Sequence, residues 1–267
     1  MPDIDEPTES VDLSTIIPGD RRDRIMRLIA DRGSVRVAAL AEMFNVAEET
    51  IRRDLDRLDR TGRVMRTHGG ATKIRSDRID WSMDERQGER AEEKRKIAAA
   101  ALPFVEPGDV IALDASTTVL RLAALLDDVE IQVVTNGLEA ARQLSRRSQV
   151  RVTLVGGELG PDSMSLLGPL AHDALERFSF DKVFLSCKAV DPKRGMSEAD
   201  LPHAEFKRRL IAASERSYLL ADHSKFGVRS SAFFGTLGDV DVIVTDSSTD
   251  PDFLDGVVAR GGDVVIA

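Results

Sequence analysis

The chain has 267 residues, of which 42% are hydrophobic and 31% are charged, and its formal net charge is −9. This length and composition predict a globular protein of about two domains and exclude a fibrous or wholly disordered chain. Taken over the whole chain, the negative charge argues against a nucleic acid partner.

The sequence contains no run of about 18 apolar residues, so we expect no membrane-spanning helix and no membrane partner. The acidic start of the chain, MPDIDE, lacks the basic and apolar segments of a secretory signal. The single cysteine, Cys187, excludes an internal disulfide. We therefore expect a cytoplasmic protein.

The charge is distributed unevenly along the chain. Residues 1–20 contain six acidic and no basic residues, residues 21–78 contain 15 Lys and Arg against nine Asp and Glu, and residues 79–267 carry a net charge of −9. We predict that residues 1–20 form an acidic, disordered tail. A basic segment between two acidic ones is typical of nucleic acid binding, and the charge alone fits a solvated helical face equally well.

The basic segment contains three amphipathic helical patterns. The first covers residues 21–32 with Asp20 as its N-cap, the second ends at Asn45, and the third covers about residues 48–60. Asn45 tolerates the left-handed conformation that a tight turn requires. Three short helices with such a turn before the third predict a helix-turn-helix DNA-binding domain over residues 21–75.

The third helix carries side chains suited to the major groove of DNA, because arginine binds guanine bidentately and threonine reaches bases or phosphates. These candidates are Thr50, Arg52, Arg53 and Arg57. Residues 63–70 then predict a short β-hairpin, or wing. Its Arg63 and Arg66 are predicted to contact phosphates without sequence specificity. His68 is a further candidate, although packing or solvent exposure is the commoner role of a lone histidine.

Residues 76–93 lack a clear period and are predicted to link this domain to a second one, residues 94–267. After a helix over about residues 91–104, strand patterns alternate with helical patterns, which predicts an α/β fold with a doubly wound, mostly parallel sheet. The predicted strands are 110–113, 131–134, 150–155, 182–186, 218–221, 240–245 and 264–266. The predicted helices between them are 117–126, 138–146, 170–178, 203–215 and 252–260.

Small, polar or charged residues follow five of the predicted strands, and ligands of doubly wound sheets bind outside the carboxyl ends of the strands. Residues 114–118 read DASTT at the start of a helix, where free backbone N–H groups and the helix dipole favour an anion. A plain Ser/Thr N-cap explains that loop equally well. The five strand ends together predict a ligand site.

Two separated motifs resemble the DeoR family of bacterial transcriptional repressors: TIRRDL at residues 50–55 and RTHGGA at residues 66–71. Ala47 departs from that family, which usually has a serine capping the recognition helix. The loops of the second domain resemble the family's sensor domain, so the resemblance covers nearly the whole chain from Arg21 onward. It implies a winged helix-turn-helix followed by a sensor domain similar in fold to ribose-5-phosphate isomerase.

The resemblance also implies a phosphorylated sugar as effector. The residues that would hold its phosphate are Ser116, Thr117 and Thr118, and those that would line the pocket are Asn136 and Gly157. The residues that would meet sugar hydroxyls or phosphate are Asp114, Asp191, Glu198, Lys207 and Lys225. Lys207 lies on an amphipathic helix, where a solvated or salt-bridged lysine is commoner. Ala115 and Ser116 replace a glycine–threonine pair that is common in the family, so the effector's identity does not transfer from a relative.

Two classes of function fit these residues. Asp114, Glu198 and Lys225 could do acid–base work on a sugar phosphate, so an isomerase-like enzyme with an appended DNA-binding module is the alternative. A dedicated enzyme has little use for a winged helix-turn-helix. We therefore predict a regulator without enzyme activity, most simply a repressor of a carbohydrate catabolism operon that a sugar phosphate releases from double-stranded operator DNA. We expect a homo-oligomer, a dimer or tetramer, because operators are usually repeated.

Motifs for other chemistries are missing from the sequence. It contains no GxGxxG, no GxxxxGK[ST] and no HExxH motif, and its four histidines are scattered. We therefore expect no cofactor and no metal ion. Cys187 lies in an apolar strand and is predicted to be a buried core residue.

Overall fold

The computed structural model of the protein describes residues 18–60, 64–72, 83–259 and 261–267. The chain divides into two compact units, with the division between Ile79 and Asp80. The first unit contains the predicted DNA-binding domain, and the second contains the predicted sensor domain. Of the predicted acidic tail, only residues 18–20 belong to the described part. No helix among the described residues has both the length and the apolar character needed to cross a membrane.

The described part of the first unit combines helices with a small antiparallel sheet. Its elements are α1 (Pro18–Arg32), β1 (Ser34–Arg36), α2 (Val37–Phe44), α3 (Glu48–Arg60), β2 (Met65–Thr67) and β3 (Gly70–Thr72). The strand order is β1-β3-β2. The helices bury their apolar faces against each other, through Ile25, Ile29, Leu40, Phe44, Ile51, Leu55 and Leu58, none more than 2% exposed. This arrangement confirms the predicted winged helix-turn-helix.

Two features of the first unit differ from the sequence-based prediction. Helix α1 begins at Pro18, so Asp20 lies in its first turn and is not the N-cap. Strand β1 was not predicted because three residues are too few to show a strand period. It approaches β3 so closely that a Cβ atom on Gly70 would lie 1.9 Å from the carbonyl oxygen of Val35, and this position therefore requires glycine. Asn45 has φ 49° and ψ 49°, the left-handed conformation predicted for it.

The second unit begins with helices and continues with alternating strands and helices. Its helices are α4 (Met83–Gly88), α5 (Ala91–Ala101), α6 (Thr117–Leu125), α7 (Leu138–Leu144), α8 (Pro169–Leu175), α9 (Leu201–Ala212) and α10 (Pro251–Val258). The strands of its main sheet are β4 (Val110–Leu113), β5 (Ile131–Thr135), β6 (Val150–Leu154), β9 (Phe180–Leu185), β12 (Ser214–Leu220), β14 (Val242–Thr245) and β15 (Asp263–Ile266). Shorter strands are β7 (Glu158–Gly160), β8 (Ser165–Leu167), β10 (Ala189–Asp191), β11 (Gly195–Glu198) and β13 (Ala232–Gly235).

The main sheet has seven strands in the order β15-β14-β12-β9-β4-β5-β6, and every pairing in it is parallel. The chain runs outward from β4 through β5 to β6, and then returns to the other side of β4 to form β9. The strand order therefore reverses between β4 and β9. Ligands bind at such a reversal in doubly wound folds, outside the carboxyl ends of the strands.

The predicted α/β sheet is confirmed, and the differences lie at its margins. The predicted linker, residues 76–93, is wrong for its second part, because α4 begins at Met83 and α5 at Ala91. Met83, at the start of α4, is buried in the core of this unit. The helix was not predicted because six residues are too few to show an apolar period. Residues 73–82 lie outside the described residues. Helix α9 is shifted to Leu201–Ala212 because the Asp200 carboxylate accepts a hydrogen bond from the His203 N–H and caps it earlier than predicted.

Candidate DNA interface and effector site

Helix α3 presents the predicted DNA-contacting side chains to solvent. The Arg53 side chain is 80% exposed, and its Nε lies 3.5 Å from Glu49 Oε1. Arg52 forms ion pairs with Glu48 and Glu49 along the same helix. Arg57 is exposed, and Thr50 is half-buried. Exposed ion pairs of this kind contribute little stability, so both arginines can exchange a carboxylate for DNA at small cost.

The buried side of α3 carries an acid, Asp54. Its Oδ2 accepts a hydrogen bond of 2.6 Å from Nε of Arg21, and Arg22 Nη1 lies 3.4 Å from Oδ1. Both arginines belong to α1. Asp54 therefore fixes the recognition helix against the first helix. In the sequence, Asp54 is one letter of the family motif, and the sequence alone predicted no structural role for it.

Arg66 of the wing is bound within its own unit. Its Nε donates to Asp56 Oδ1 at 2.9 Å, and its Nη1 donates to the carbonyl oxygen of Gly70 at 2.6 Å. Its backbone N–H donates to Asp59 Oδ1 at 3.0 Å. These bonds tie the wing to α3, whereas the sequence predicted a phosphate contact. His68 is exposed, and the other predicted wing contact, Arg63, lies outside the described residues.

A buried ion-pair cluster lies where β4 and β9 end. Lys207 Nζ is 3.0 Å from Asp114 Oδ2, forms an ion pair with Glu198, and donates to the Ser186 carbonyl at 2.8 Å. The Ser186 N–H donates to Asp114 Oδ2 at 3.0 Å. Burial by itself would lower the pKa of Lys207, but Asp114 and Glu198 outweigh it and raise the pKa above its ordinary value. Lys207 is therefore a buried, neutralised cation and not a solvated one.

The start of α6 borders the same point. The Ser116 hydroxyl accepts a hydrogen bond from the Val119 N–H, and the Ser116 N–H donates to Asp114 Oδ1 at 2.9 Å. Ser116 is thus an N-cap, as the alternative interpretation of the loop held. Thr117 and Thr118 are both buried in the first turn, where helical N–H groups have no partner within the helix. The helix start retains donors for an anion, although part of its capacity is already used.

Asn136 follows β5 beside this loop. Its Nδ2 donates to the Leu166 carbonyl at 3.3 Å, while its buried Oδ1 has no hydrogen-bond partner among the residues that the structure describes. The next residue packs tightly, since a Cβ on Gly137 would lie 3.1 Å from Cα of Ala115. We call residues 114–118, 136–137 and 186–188 the switch-point site. Gly157 has φ 136°, and a Cβ there would lie 2.3 Å from the Leu167 carbonyl oxygen, so its glycine serves the close approach of β8.

Asp191 is the last residue of β10, and Lys225 follows β12. Asp191 Oδ1 accepts hydrogen bonds from the N–H groups of Lys193 and Arg194 in its own turn, and these bonds lower its pKa. Lys225 ends the 3-10 turn after β12 and is half-buried. The next residue, Phe226, forms an isolated β-bridge with Val190, which places the end of this turn beside β10. Cys187 is buried as predicted, and burial with the nearby Glu198 raises the pKa of its thiol to about 12.

A buried lysine that the sequence analysis did not select, Lys94, lies on α5. It is 4% exposed, and its Nζ donates to the Arg86 carbonyl at 2.6 Å. Burial, and then the charge of Lys225, lower its pKa to about 8. The sequence itself indicated that Lys94 is buried. Lys94 precedes the buried Ile97, Ala98 and Ala101 by three, four and seven residues, so it shares their helix face.

His203 belongs to a hydrogen-bonded chain that looks like a catalytic triad. Its Nδ1 donates to Asp200 at 2.8 Å, its Nε2 is 3.2 Å from the Ser165 hydroxyl, and that hydroxyl is 2.7 Å from Ser163 Oγ. Ser165 is fully buried, so its hydroxyl is closed to a substrate. These hydrogen bonds instead join β8 to the start of α9.

Comparison with known proteins places both units in one family. A DeoR-like helix-turn-helix domain matches residues 21–77, and the DeoR C terminal sensor domain matches residues 89–247. The chain is 40% identical to the uncharacterized HTH-type transcriptional regulator YulB of Bacillus subtilis, over 88% of this chain and 92% of that protein.

Two further relatives have more specific names. The chain is 35% identical to the transcriptional repressor AccR of Agrobacterium fabrum over 86% of this chain and 90% of that protein. It is 34% identical to the L-fucose operon activator of Haemophilus influenzae over 85% of this chain and 92% of that protein. Among solved structures, ribose 5-phosphate isomerase A of Methanocaldococcus jannaschii aligns over 52% of this chain and 55% of that chain, with 15% identity and a TM-score of 0.39. The family matches and the relatives show that this chain belongs to the DeoR family of transcriptional regulators.

Proposed function

We propose that the chain is a transcriptional repressor of a carbohydrate catabolism operon, and that a phosphorylated sugar bound at the switch-point site releases it from its operator. The observation that supports this effector class is Asn136, whose buried Oδ1 has no donor among the described residues. It lies beside the start of α6, where Ser116 already binds the Val119 N–H and the N–H groups of Thr117 and Thr118 have no partner within the helix. A sugar hydroxyl supplies the donor, and a phosphate supplies the acceptor. A ligand with both groups satisfies both needs.

We propose further that the chain acts without enzyme activity. The acid–base candidates Asp114 and Glu198 are both held by Lys207, so neither is a free base. Incubation of the full chain with pentose and hexose phosphates would test this point. Turnover at about 1 per second or faster, which is typical of enzymes, would contradict it.

Regulation requires that DNA and effector oppose each other. In a homo-oligomer, two copies of α3 contact repeated operator half-sites, and the sugar phosphate binds better to the state that cannot hold DNA. Each ligand then weakens the other by about 1–3 kcal/mol. One relative is named an operon activator. The experiment must therefore also measure whether this chain represses or activates its operon.

The experiment measures binding of the full chain to the DNA upstream of its own gene, with and without a panel of sugar phosphates. We expect Arg53→Ala to lose specific DNA binding and keep effector binding, because Arg53 is exposed on α3. We expect Thr117→Glu to keep DNA binding and no longer respond to effector. An unaltered effector response in Thr117→Glu would exclude the start of α6 from the site, and retained specific binding in Arg53→Ala would exclude α3 as the reading helix. Light scattering of the free chain and of its complex with DNA tests the oligomer.

A further inference from the structure

The β7–β8 hairpin, residues 158–167, is bonded directly to the switch-point site. The Leu166 N–H donates to the Asn136 carbonyl at 2.8 Å, and Asn136 Nδ2 donates to the Leu166 carbonyl at 3.3 Å. The neighbouring residues Gly137 and Ser165 form an isolated antiparallel β-bridge. The hairpin therefore fixes the Asn136 amide, and with it the Oδ1 that has no partner among the described residues.

The turn of the same hairpin is bonded to the start of α4. The Met83 N–H donates to the Asp162 carbonyl at 2.7 Å, and Met83 is 6% exposed. Met83 is the first residue of α4 and follows closely on Asp80, where the chain enters the second unit. One hairpin thus contacts both the proposed effector site and the segment through which the chain arrives from the DNA-binding unit.

Between these two contacts, the backbone of the hairpin has an unfavourable conformation. Met164 has φ 49°, in the left-handed region where the Cβ atom of any residue other than glycine is crowded. Its carbonyl accepts a hydrogen bond of 3.0 Å from the Leu138 N–H at the start of α7, and its N–H donates to the Gly160 carbonyl at 2.8 Å. Strained residues persist only where their surroundings hold them, and they are typical of ligand clamps and switch segments.

The side chain of His203 attaches β8 to α9. Its Nδ1 donates to the Asp200 carboxylate at 2.8 Å, so Nε2 of the neutral ring accepts from the Ser165 hydroxyl, which lies 3.2 Å away. Ser165 is fully buried and directly precedes Leu166, whose backbone binds Asn136. His203 is therefore linked to Asn136 through two adjacent residues of β8.

We propose that His203 is a positioning residue of the effector site, and that the β7–β8 hairpin opens and closes as one unit that couples Asn136 to the start of α4. This inference rests on the proposed function only in assigning the effector to Asn136. In the closed hairpin, Asn136 Oδ1 is fixed in place and Asp162 holds Met83. A ligand that donates to Oδ1 binds the closed hairpin better than the open one, so its binding also tightens the hold on α4.

Hydrogen–deuterium exchange of the full chain, read by mass spectrometry with electron-transfer fragmentation, tests the coupling without a ligand. The N–H groups of Leu166, Leu138 and Met83 report the three attachments of the hairpin, and that of Val133 in β5 reports opening of the whole unit. His203→Ala should accelerate exchange at the three reporters by about 5- to 10-fold relative to Val133, the factor expected from the loss of one buried hydrogen bond.

Three further variants isolate the bond between His203 and Ser165. His203→Gln extends an amide to the position of Nε2 and keeps a hydrogen bond to Ser165, so it should restore exchange to within about 2-fold of wild type. Ser165→Ala removes the same bond from the other side and should reproduce His203→Ala. Ser248→Ala is the matched control, since Ser248 is exposed after β14, and it should exchange like wild type. Circular dichroism verifies that each variant is folded.

The pattern across the reporters decides the inference. Equal acceleration at Leu166, Leu138 and Met83 in His203→Ala, reversed in His203→Gln, supports a single unit. Acceleration at Leu166 with Met83 unchanged would overturn the coupling to α4. Acceleration no greater than that of Val133 would overturn the positioning role, because His203 would then stabilise only the unit as a whole.

The outcomes also distinguish this inference from the proposed function. If the three reporters respond together while no sugar phosphate changes DNA binding, the coupling through the hairpin stands and the proposed effector is wrong. If sugar phosphates release the protein from DNA while Met83 does not respond to His203→Ala, the effector stands and the coupling is wrong.

Discussion

Replacing Lys207 by methionine should destabilise the sensor unit strongly. Methionine fills a similar volume, but Asp114 and Glu198 then lie buried without their shared cation; Asp114 is 1% exposed and the Glu198 side chain 10%. Removing one partner from a buried ion pair typically costs about 3–5 kcal/mol. In a unit of this size, about 1 kcal/mol changes Tm by about 2–4 °C, so we expect Tm to fall by about 6–20 °C.

Scanning calorimetry at pH 7 measures this effect, and Lys193→Met is the control because Lys193 is exposed. A fall in Tm of less than about 3 °C would refute the assignment of Lys207 as the cation that neutralises this cluster.

Three further predictions concern other residues. Lys94→Met should stabilise the unit at pH 7 by about 2 kcal/mol, measured by urea unfolding. A Lys94 pKa lowered from 10.5 to about 8 means that the buried charge destabilises the folded state by about 3 kcal/mol. Losing the hydrogen bond to the Arg86 carbonyl offsets about 1 kcal/mol of the gain. The free energy of unfolding of the wild-type chain should rise between pH 8 and 10.5, as Lys94 loses its proton in the folded state. The advantage of Lys94→Met over wild type should therefore disappear across this pH range, and a constant advantage would contradict the prediction. Arg66→Ala should weaken DNA binding without changing its salt dependence. If the slope of log K against log salt concentration became shallower by about 0.9, Arg66 would instead contact a phosphate. Ala47→Ser should stabilise the first unit by about 1 kcal/mol in thermal unfolding, as a better N-cap for α3, and an unchanged Tm would refute a capping role.

The sequence predicted the parts of the fold that repeat a period. Helix α3 and the strands of the main sheet show apolar spacing over enough residues to be recognised, and their order determined the α/β class. Strand β1 and helix α4 escaped prediction because three and six residues show no period. Residues placed by tertiary contacts, such as Met83, leave no local signal.

The candidate site was predictable in position but not in charge. Strand-end residues such as Asp114 and Asn136 were found because the carboxyl ends of parallel strands meet at one edge. Which lysine is neutralised depends on residues distant in sequence, since Lys207 meets Asp114 across 93 positions. Arg66 shows the same limit, because its contacts with Asp56 and Gly70 exist only in the folded wing.

The buried acid of α3 separates two tasks on a single helix. Asp54 and the apolar residues of its face fix the helix to α1, while Arg52 and Arg53 are exposed on the outer side of α3. Operator preference can therefore change by substitution of the outer residues, with the stability of the unit left intact. Divergence of DNA targets among descendants of this protein needs no compensating change in its interior.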